Sequence, residues 1–186
     1  MKTRSTSTFE YRFRTPGSTA EGPIRYAVGQ SGQDIVLVAR SPRGICAIFL
    51  GEHADALRAA LASAFPAVDL IEDQQALQSD LAHVTALVSG EAAEGVVDLD
   101  IGGTAFEQQV WRALCEIPVG RTRSYGAIAQ ALGMPDAARA VAGACAANLL
   151  AVAIPCHRVL RSDGTISGYR WGVARKRALL AAELDA

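Results

Sequence analysis

Ile154-Pro155-Cys156-His157-Arg158 places a thiol, an imidazole and a guanidinium side by side, and no other stretch of the 186-residue chain sets a nucleophile beside a base and a cation. A free cysteine ionises near ~8.5 and reacts as the thiolate, so both neighbours would favour the reactive form. Pro155 fixes its own φ and removes a backbone donor, which suits a rigid, extended approach to the cysteine. Adjacent side chains of an extended segment point to opposite faces. Cys156 and His157 can therefore cooperate only if the backbone bends there or a water bridges them. The plainer reading stays open beside this one: a lone cysteine is usually a small buried hydrophobe, and a lone histidine a satisfied structural one.

Composition narrows what such a site could serve. No uncharged apolar run reaches the roughly 18 residues of a membrane span. Met1 to Ser18 is polar, with Lys2, Arg4, Arg12 and Arg14 and no apolar core, so a secretory signal is not expected. A cytoplasmic location with reduced thiols follows. Cys46, Cys115, Cys145 and Cys156 show no CxxC spacing, and His53, His83 and His157 are scattered, so neither a metal nor any other cofactor is expected. Formal net charge is -1, but it is unevenly spread: residues 1–98 hold eight Lys and Arg against twelve Asp and Glu, and residues 99–186 hold ten against seven. A polyanion should meet the C-terminal half, where nine of those ten cations are arginine, the side chain suited to phosphate and to stacking on bases.

The elements that must position the pentapeptide can be read from pattern. Residues 1–23 lack a sustained period and read as a flexible lead-in. From Ile24 to Leu50 three β-rich runs, separated by Gln-Ser-Gly-Gln and Ser-Pro-Arg-Gly, predict an antiparallel meander. Helical spacing follows over Ala54 to Phe65 and Gln74 to Ser89. These make an N-terminal α/β domain, 24–98, with a boundary at Asp98 to Gly103. The second domain, 99–186, opens on a capping box, Thr104 with Glu107, and the stripe Phe106, Val110, Leu114, Ile117. Tyr125 to Leu132 and Pro135 to about Asn148, joined by Gly-Met-Pro, look like a helix-turn-helix. On the second of these helices Arg139 is the one long cation among small residues. It could reach into a groove or a vacated base stack, or simply point to solvent. Val159-Leu160-Arg161 and Thr165-Ile166-Ser167 flank an Asp-Gly turn and predict a hairpin or wing. A final helix spans Val173 to Glu183, with a glutamate at its dipole-unfavourable end. The expected class is α+β: a small N-terminal α/β domain with an antiparallel sheet, then a mainly helical, winged helix-turn-helix-like domain.

Gly103-Thr-Ala-Phe-Glu-Gln-Gln-Val-Trp111, Ser124-Tyr125-Gly126, Ala138-Arg139-Ala140-Val141, Asn148, Ile154-Pro-Cys-His-Arg-Val159 and Ser167-Gly-Tyr-Arg-Trp-Gly172 occur in that order. With them residues 99–186 resemble the O6-alkylguanine-DNA alkyltransferase family, and weaker similarity reaches back to about Ile24. The resemblance implies double-stranded DNA carrying O6-alkylguanine as the partner, a flipped base, a cysteine that takes the alkyl group once, and a monomer. It implies Cys156 as acceptor, His157 relaying a proton through water, Glu183 polarising His157, and Asn148 orienting the cysteine loop. Arg139, flanked by Ala138 and Ala140, would fill the space of the flipped base. Tyr125 would contact the phosphate that rotates with it, with Ser124 and Arg158 also on the DNA side. Val159, Tyr169, Arg170 and Trp171 would shape the base pocket, although Trp171 could equally pack against the last helix. The zinc ligands of some relatives and the cysteine-rich sensor domain of adaptive-response members are missing, so the chain reads as a stand-alone repair domain.

Two other functions fit the pentapeptide. A cysteine hydrolase would use Cys156 and His157 directly, which sequence adjacency disfavours. A DNA-binding module without transfer activity has no use for Cys156.

Overall fold

The three runs read as a meander form the middle of a six-stranded sheet in a computed structural model, in which residues 8–184 are described. Its strands are β1 (Phe9–Phe13), β2 (Ile24–Ser31), β3 (Asp34–Ser41), β4 (Gly44–Gly51), β5 (Leu70–Glu72) and β6 (Val97–Ile101), in the order β1-β6-β4-β3-β2-β5. β2, β3 and β4 pair antiparallel, whereas β1 with β6, β6 with β4 and β5 with β2 pair parallel, so the sheet is mixed. Seven of the eight residues of β4 are buried, which explains its near-continuous apolar sequence. Helices α1 (Ala54–Ala64) and α2 (Gln78–Val88) cover this sheet with Leu57, Leu61, Leu81 and Val84. The second begins four residues later than its apolar spacing suggested, because Asp73 accepts from the Ala76 amide and holds a turn there.

The N-terminal lead-in needs correction. Residues 9–13 are a full strand of the sheet, and Arg14 beyond them is buried, its Nε donating to Asp100 at 3.0 Å. Ser41 donates to the other carboxylate oxygen at 2.6 Å. The mixed charge that made the segment look unfit to fold is what fastens it, since Arg12 also pairs with Asp98 at 2.9 Å. Residues 1–7 of the lead-in lie outside the described residues. The boundary placed at Asp98 to Gly103 likewise falls on β6, a strand inside the sheet.

The rest of the chain comprises α3 (Ala105–Cys115), β7 (Arg123–Ser124), α4 (Tyr125–Ala131), a 3-10 turn at Pro135–Ala137, α5 (Ala138–Ala147), a second 3-10 turn at Cys156–Arg158, β8 (Val159–Leu160) and α6 (Val173–Leu184). The capping box forms: Thr104 N donates to the Glu107 carboxylate at 2.8 Å and Glu107 N to the Thr104 hydroxyl at 3.2 Å. Before it, Gly103 sits at φ 98, where a Cβ would lie 2.6 Å from the Trp111 ring. Trp111 in turn donates its indole N–H to the Ala144 carbonyl at 2.8 Å, fixing α3 against α5. Between α4 and α5, Gly133 at φ 74 lets its own amide reach Gln130 O and the Met134 amide reach Ala129 O, a Schellman end that sets the turn of the helix pair.

The expected hairpin does not form as a strand pair. β8 pairs parallel with β7 instead, and Asp163 takes both the amide and the hydroxyl of Thr165, committing them to a local turn. The segment between α5 and Cys156 docks on the sheet. Ile48 of β4 exchanges backbone hydrogen bonds with it, its amide to Leu149 O at 2.8 Å and its carbonyl from Ala151 N at 3.1 Å.

Candidate active site

The cysteine loop is stapled by one side chain. Asn148 is wholly buried; its Oδ1 accepts from Leu150 N at 2.8 Å, and its Nδ2 donates to Ile154 O at 3.0 Å and to the Cys156 sulfur at 3.2 Å. Tyr11 of β1 donates to Ala153 O at 3.2 Å from the other side. Between these anchors Val152 is held at φ 59, a left-handed conformation that a β-branched residue rarely adopts. Cys156 and His157 then enter the 3-10 turn, so the pentapeptide is not a regular strand and the objection to a shared environment lapses.

A line of polar groups runs behind the thiol. His157 Nε2 lies 2.7 Å from Glu183 Oε1. Burial alone would raise the Glu183 carboxyl, but the hydrogen bonds from His157 and Arg158 outweigh it and bring it down to about 2. Glu183 is thus a carboxylate and can only accept, so Nε2 carries the proton. Burial lowers His157 below its ordinary value despite Glu183, so the ring is neutral near pH 7 and Nδ1 keeps a lone pair. That Nδ1 is buried with no hydrogen-bond partner among the described residues. The electrostatics of the sulfur do not themselves single it out. Burial pushes Cys156 up to about 11 against the Asn148 hydrogen bond and the nearby cations, while Cys46 and Cys145 reach about 12 and Cys115 about 11. What distinguishes Cys156 is the base next to it and the amide on its sulfur.

The thiol opens into a cleft of about 540 Å³ walled by Tyr125, Cys145, Ser167, Tyr169 and Arg170, among others. Tyr125 lines this cleft, with its hydroxyl 2.5 Å from the Ser167 hydroxyl. Tyr169 also walls the cleft, and its buried hydroxyl has no hydrogen-bond partner among the described residues. Trp171 is 6% exposed and is not part of the wall; it meets the Tyr169 ring edge-on at 5.1 Å, which corrects its assignment as pocket rim. Val159 is likewise fully buried and off the wall, its carbonyl occupied by Lys176 Nζ at 2.6 Å.

One expected DNA contact turns out to be structural. Arg158 is turned inward, its guanidinium chelating Glu183 at 2.8–3.0 Å and donating to Ile117 O at 2.6 Å. Ser124 caps α4, its hydroxyl oxygen accepting from the Ala127 amide at 3.0 Å, which leaves the O–H to donate elsewhere. Arg139 differs from both. It is exposed on α5, next to Ala138 and the exposed Ala140, and makes no hydrogen bond or ion pair among the described residues.

Sequence reasoning missed Lys176, the one fully buried lysine among the described residues, which burial holds below its ordinary pKa. It is hidden in Arg175-Lys176-Arg177, three successive cations at the start of the last helix that look solvent-facing. Its helical spacing to Leu180 and Glu183, which puts all three on one face, was the available signal. Among the described residues no group of three or more His, Cys, Asp or Glu could hold a metal, and no helix is long and apolar enough to cross a membrane.

Residues 105–184 match the family model described as 6-O-methylguanine DNA methyltransferase, DNA binding domain. The chain is 50% identical over 162 residues to the bifunctional transcriptional activator/DNA repair enzyme Ada of Escherichia coli, covering 87% of this chain and 46% of that one. It is 48% identical over 111 residues to a methylated-DNA–protein-cysteine methyltransferase of Mycobacterium tuberculosis, covering 60% and 67%. The fold superposes on the crystal structure of M. tuberculosis OGT in complex with DNA with a TM-score of 0.72 at 35% identity, covering 87% of this chain and 93% of that one. The chain spans about half the length of the Ada proteins it matches.

Proposed function

The chain belongs to the methylated-DNA–protein-cysteine methyltransferase family, and we propose that it repairs double-stranded DNA by moving the alkyl group of O6-alkylguanine, methyl above all, to its own Cys156. The observation that carries this reading is that Glu183 holds a buried, neutral imidazole whose Nδ1 has no partner among the described residues, on the residue that follows the buried Cys156 in the same 3-10 turn. A buried polar atom of this kind calls for water or substrate as its partner. His157 takes the thiol proton through such a water, and Glu183 stabilises the imidazolium that results. The thiolate, held by the Asn148 amide, attacks the alkyl carbon; the carbon–O6 bond breaks with its electrons on guanine, which takes a proton. Lys176, an ammonium 2.6 Å from the Val159 carbonyl, sits close enough for its charge to favour the thiolate. The thioether has no ordinary route back, so the protein reacts once.

The lesion reaches the thiol only if its nucleotide leaves the stack, at a cost of a few kcal/mol. Arg139 on the helix-turn-helix fills the space left behind, in the minor groove, and the small residues beside it let α5 lie close to the DNA. The cleft beyond Tyr125 receives the base. A cytoplasmic monomer without metal or other cofactor fits this work. The test is to titrate the protein with duplex DNA carrying a single O6-methylguanine and count the guanine restored. One lesion repaired per molecule, with none by Cys156→Ser, is expected; repeated turnover would instead favour a cysteine hydrolase.

A further inference from the structure

Asp34 opens β3 at the hairpin turn from β2 and lines no part of the cleft, yet its contacts lead there. Arg175, in the first turn of α6, sets both Nε and Nη2 2.7 Å from Asp34 Oδ1, with the exposed Glu52 carboxylate farther off at 4.0 Å. Its remaining nitrogen, Nη1, donates to the Trp171 carbonyl at 2.7 Å. One guanidinium therefore ties the sheet to the loop whose residues 168–170 wall the cleft. Trp171 is buried with its ring edge-on to Tyr169, and the Gly172 amide donates to Tyr169 O at 3.0 Å, so holding the carbonyl between them holds Tyr169 from behind. On its other side the loop is fastened by Arg170 Nη1, which donates to Ala146 O at 3.0 Å. Arg175 also stands one residue before Lys176, whose Nζ reaches the Val159 carbonyl just past the cysteine turn.

The Asp34 and Arg175 side chains are 28% and 17% exposed, and a pair this open to solvent adds little to overall stability. What it supplies is direction. An arginine offers its donors in a rigid planar fork, so seating two nitrogens on a carboxylate also sets where the third one points. Without that seat the side chain regains its rotamers, and the Trp171 carbonyl loses a fixed donor. We infer that Asp34 is a positioning residue for alkyl transfer: through Arg175 it holds the Trp171 carbonyl, and with it the Tyr169 wall against which the base is seated for attack by Cys156. This deepens, and rests on, the alkyl-transfer reading above. It gives the antiparallel part of the sheet a share in the reaction rate through a side chain that never meets the substrate. Small displacements of a seated reactant are costly in rate, so the effect falls on the chemistry and not on the fold.

The test measures single-turnover rates with duplex O6-methylguanine and with the free base for the full chain, Asp34→Ala, Asp34→Glu, Arg175→Met and the double variant Asp34→Ala/Arg175→Met. Asp34→Ala should slow both substrates by the same factor, about tenfold, with its urea midpoint nearly unchanged, and Asp34→Glu should recover most of the loss. The double variant should be no slower than Arg175→Met, because the two residues act as one unit. Added salt gives a readout that a merely structural role does not move. The free base is neutral, so its wild-type rate should fall as salt screens the half-open pair, and the Asp34→Ala rate should stay flat. Unchanged rates in Asp34→Ala overturn the inference, as do additive losses in the double variant or a loss confined to duplex DNA. In each of those cases the wild type still moves methyl. If the wild type moves none, the alkyl-transfer reading fails and this one with it.

Discussion

Glu183 does more at the site than its position at the end of a helix suggests. It accepts from His157, from three Arg158 bonds and from the Gly120 amide at 3.2 Å, so one carboxylate fixes the imidazole tautomer and neutralises a buried guanidinium. Its folded pKa of about 2 lies below the ordinary 4.5. A depressed carboxyl contributes stability that is fully present above the unfolded value and is lost as pH falls through the folded one. Unfolding free energy should therefore drop between about pH 4.5 and pH 2 in the wild type and show less of that drop in Glu183→Gln, as followed by urea denaturation at each pH. Equal acid slopes would mean that Glu183 is not held as a carboxylate. Cys156, His157 and Asn148 stand out in ordered motifs and Glu183 at the unfavourable end of a helix, and the structure brings Asn148 to the Cys156 sulfur and Glu183 to His157. Arg158 was misread because its partner is 25 residues away: a cation next to a cysteine looks like a DNA contact until the fold shows what it faces.

At the level of elements, α4 and α5 carry the DNA-facing argument. The turn between them was legible from Gly133 and Pro135, and the capping box at Thr104 from four residues, because local hydrogen bonds decide both. Arg139→Ala should slow repair of duplex DNA far more than reaction with free O6-methylguanine, since filling a vacated stack matters only where there is a stack. Second-order rates for the two substrates measure this, and equal losses would remove Arg139 as the intercalating group. The expected hairpin lacks its strand pairing because β8 found a partner in β7, which no turn pattern in its own neighbourhood could show, although Arg161 N still donates to Thr165 O across the turn. β1 failed for a related reason. Its sequence is short and charged, and its strand character comes from pairing with β6, more than eighty residues along the chain.

At the scale of the whole molecule, the sheet has a part in positioning the cysteine loop. β4 holds the loop through Ile48, β1 through Tyr11, and α6 returns to the sheet where Arg175 meets Asp34 at 2.7 Å. A division into two domains, natural from the composition shift, hides this dependence, since β6 lies on the expected boundary. The buried Arg14–Asp100 pair is the place to test it. Arg14→Ala leaves Asp100 without its main partner and should cost about 3–5 kcal/mol in denaturant unfolding. A cost under about 1 kcal/mol would be that of an ordinary surface pair and would show that β1 is not integral to the fold. The central claim, that a neutral His157 backed by Glu183 makes Cys156 the acceptor, is tested most directly by peptide mass analysis after incubation with duplex DNA carrying O6-methylguanine. We expect a gain of one methyl confined to the peptide containing Cys156, complete in the wild type and slowed by about 100-fold or more in His157→Ala. A methyl group found on Cys46, Cys115 or Cys145 instead, or on no cysteine while guanine is restored, would contradict the account.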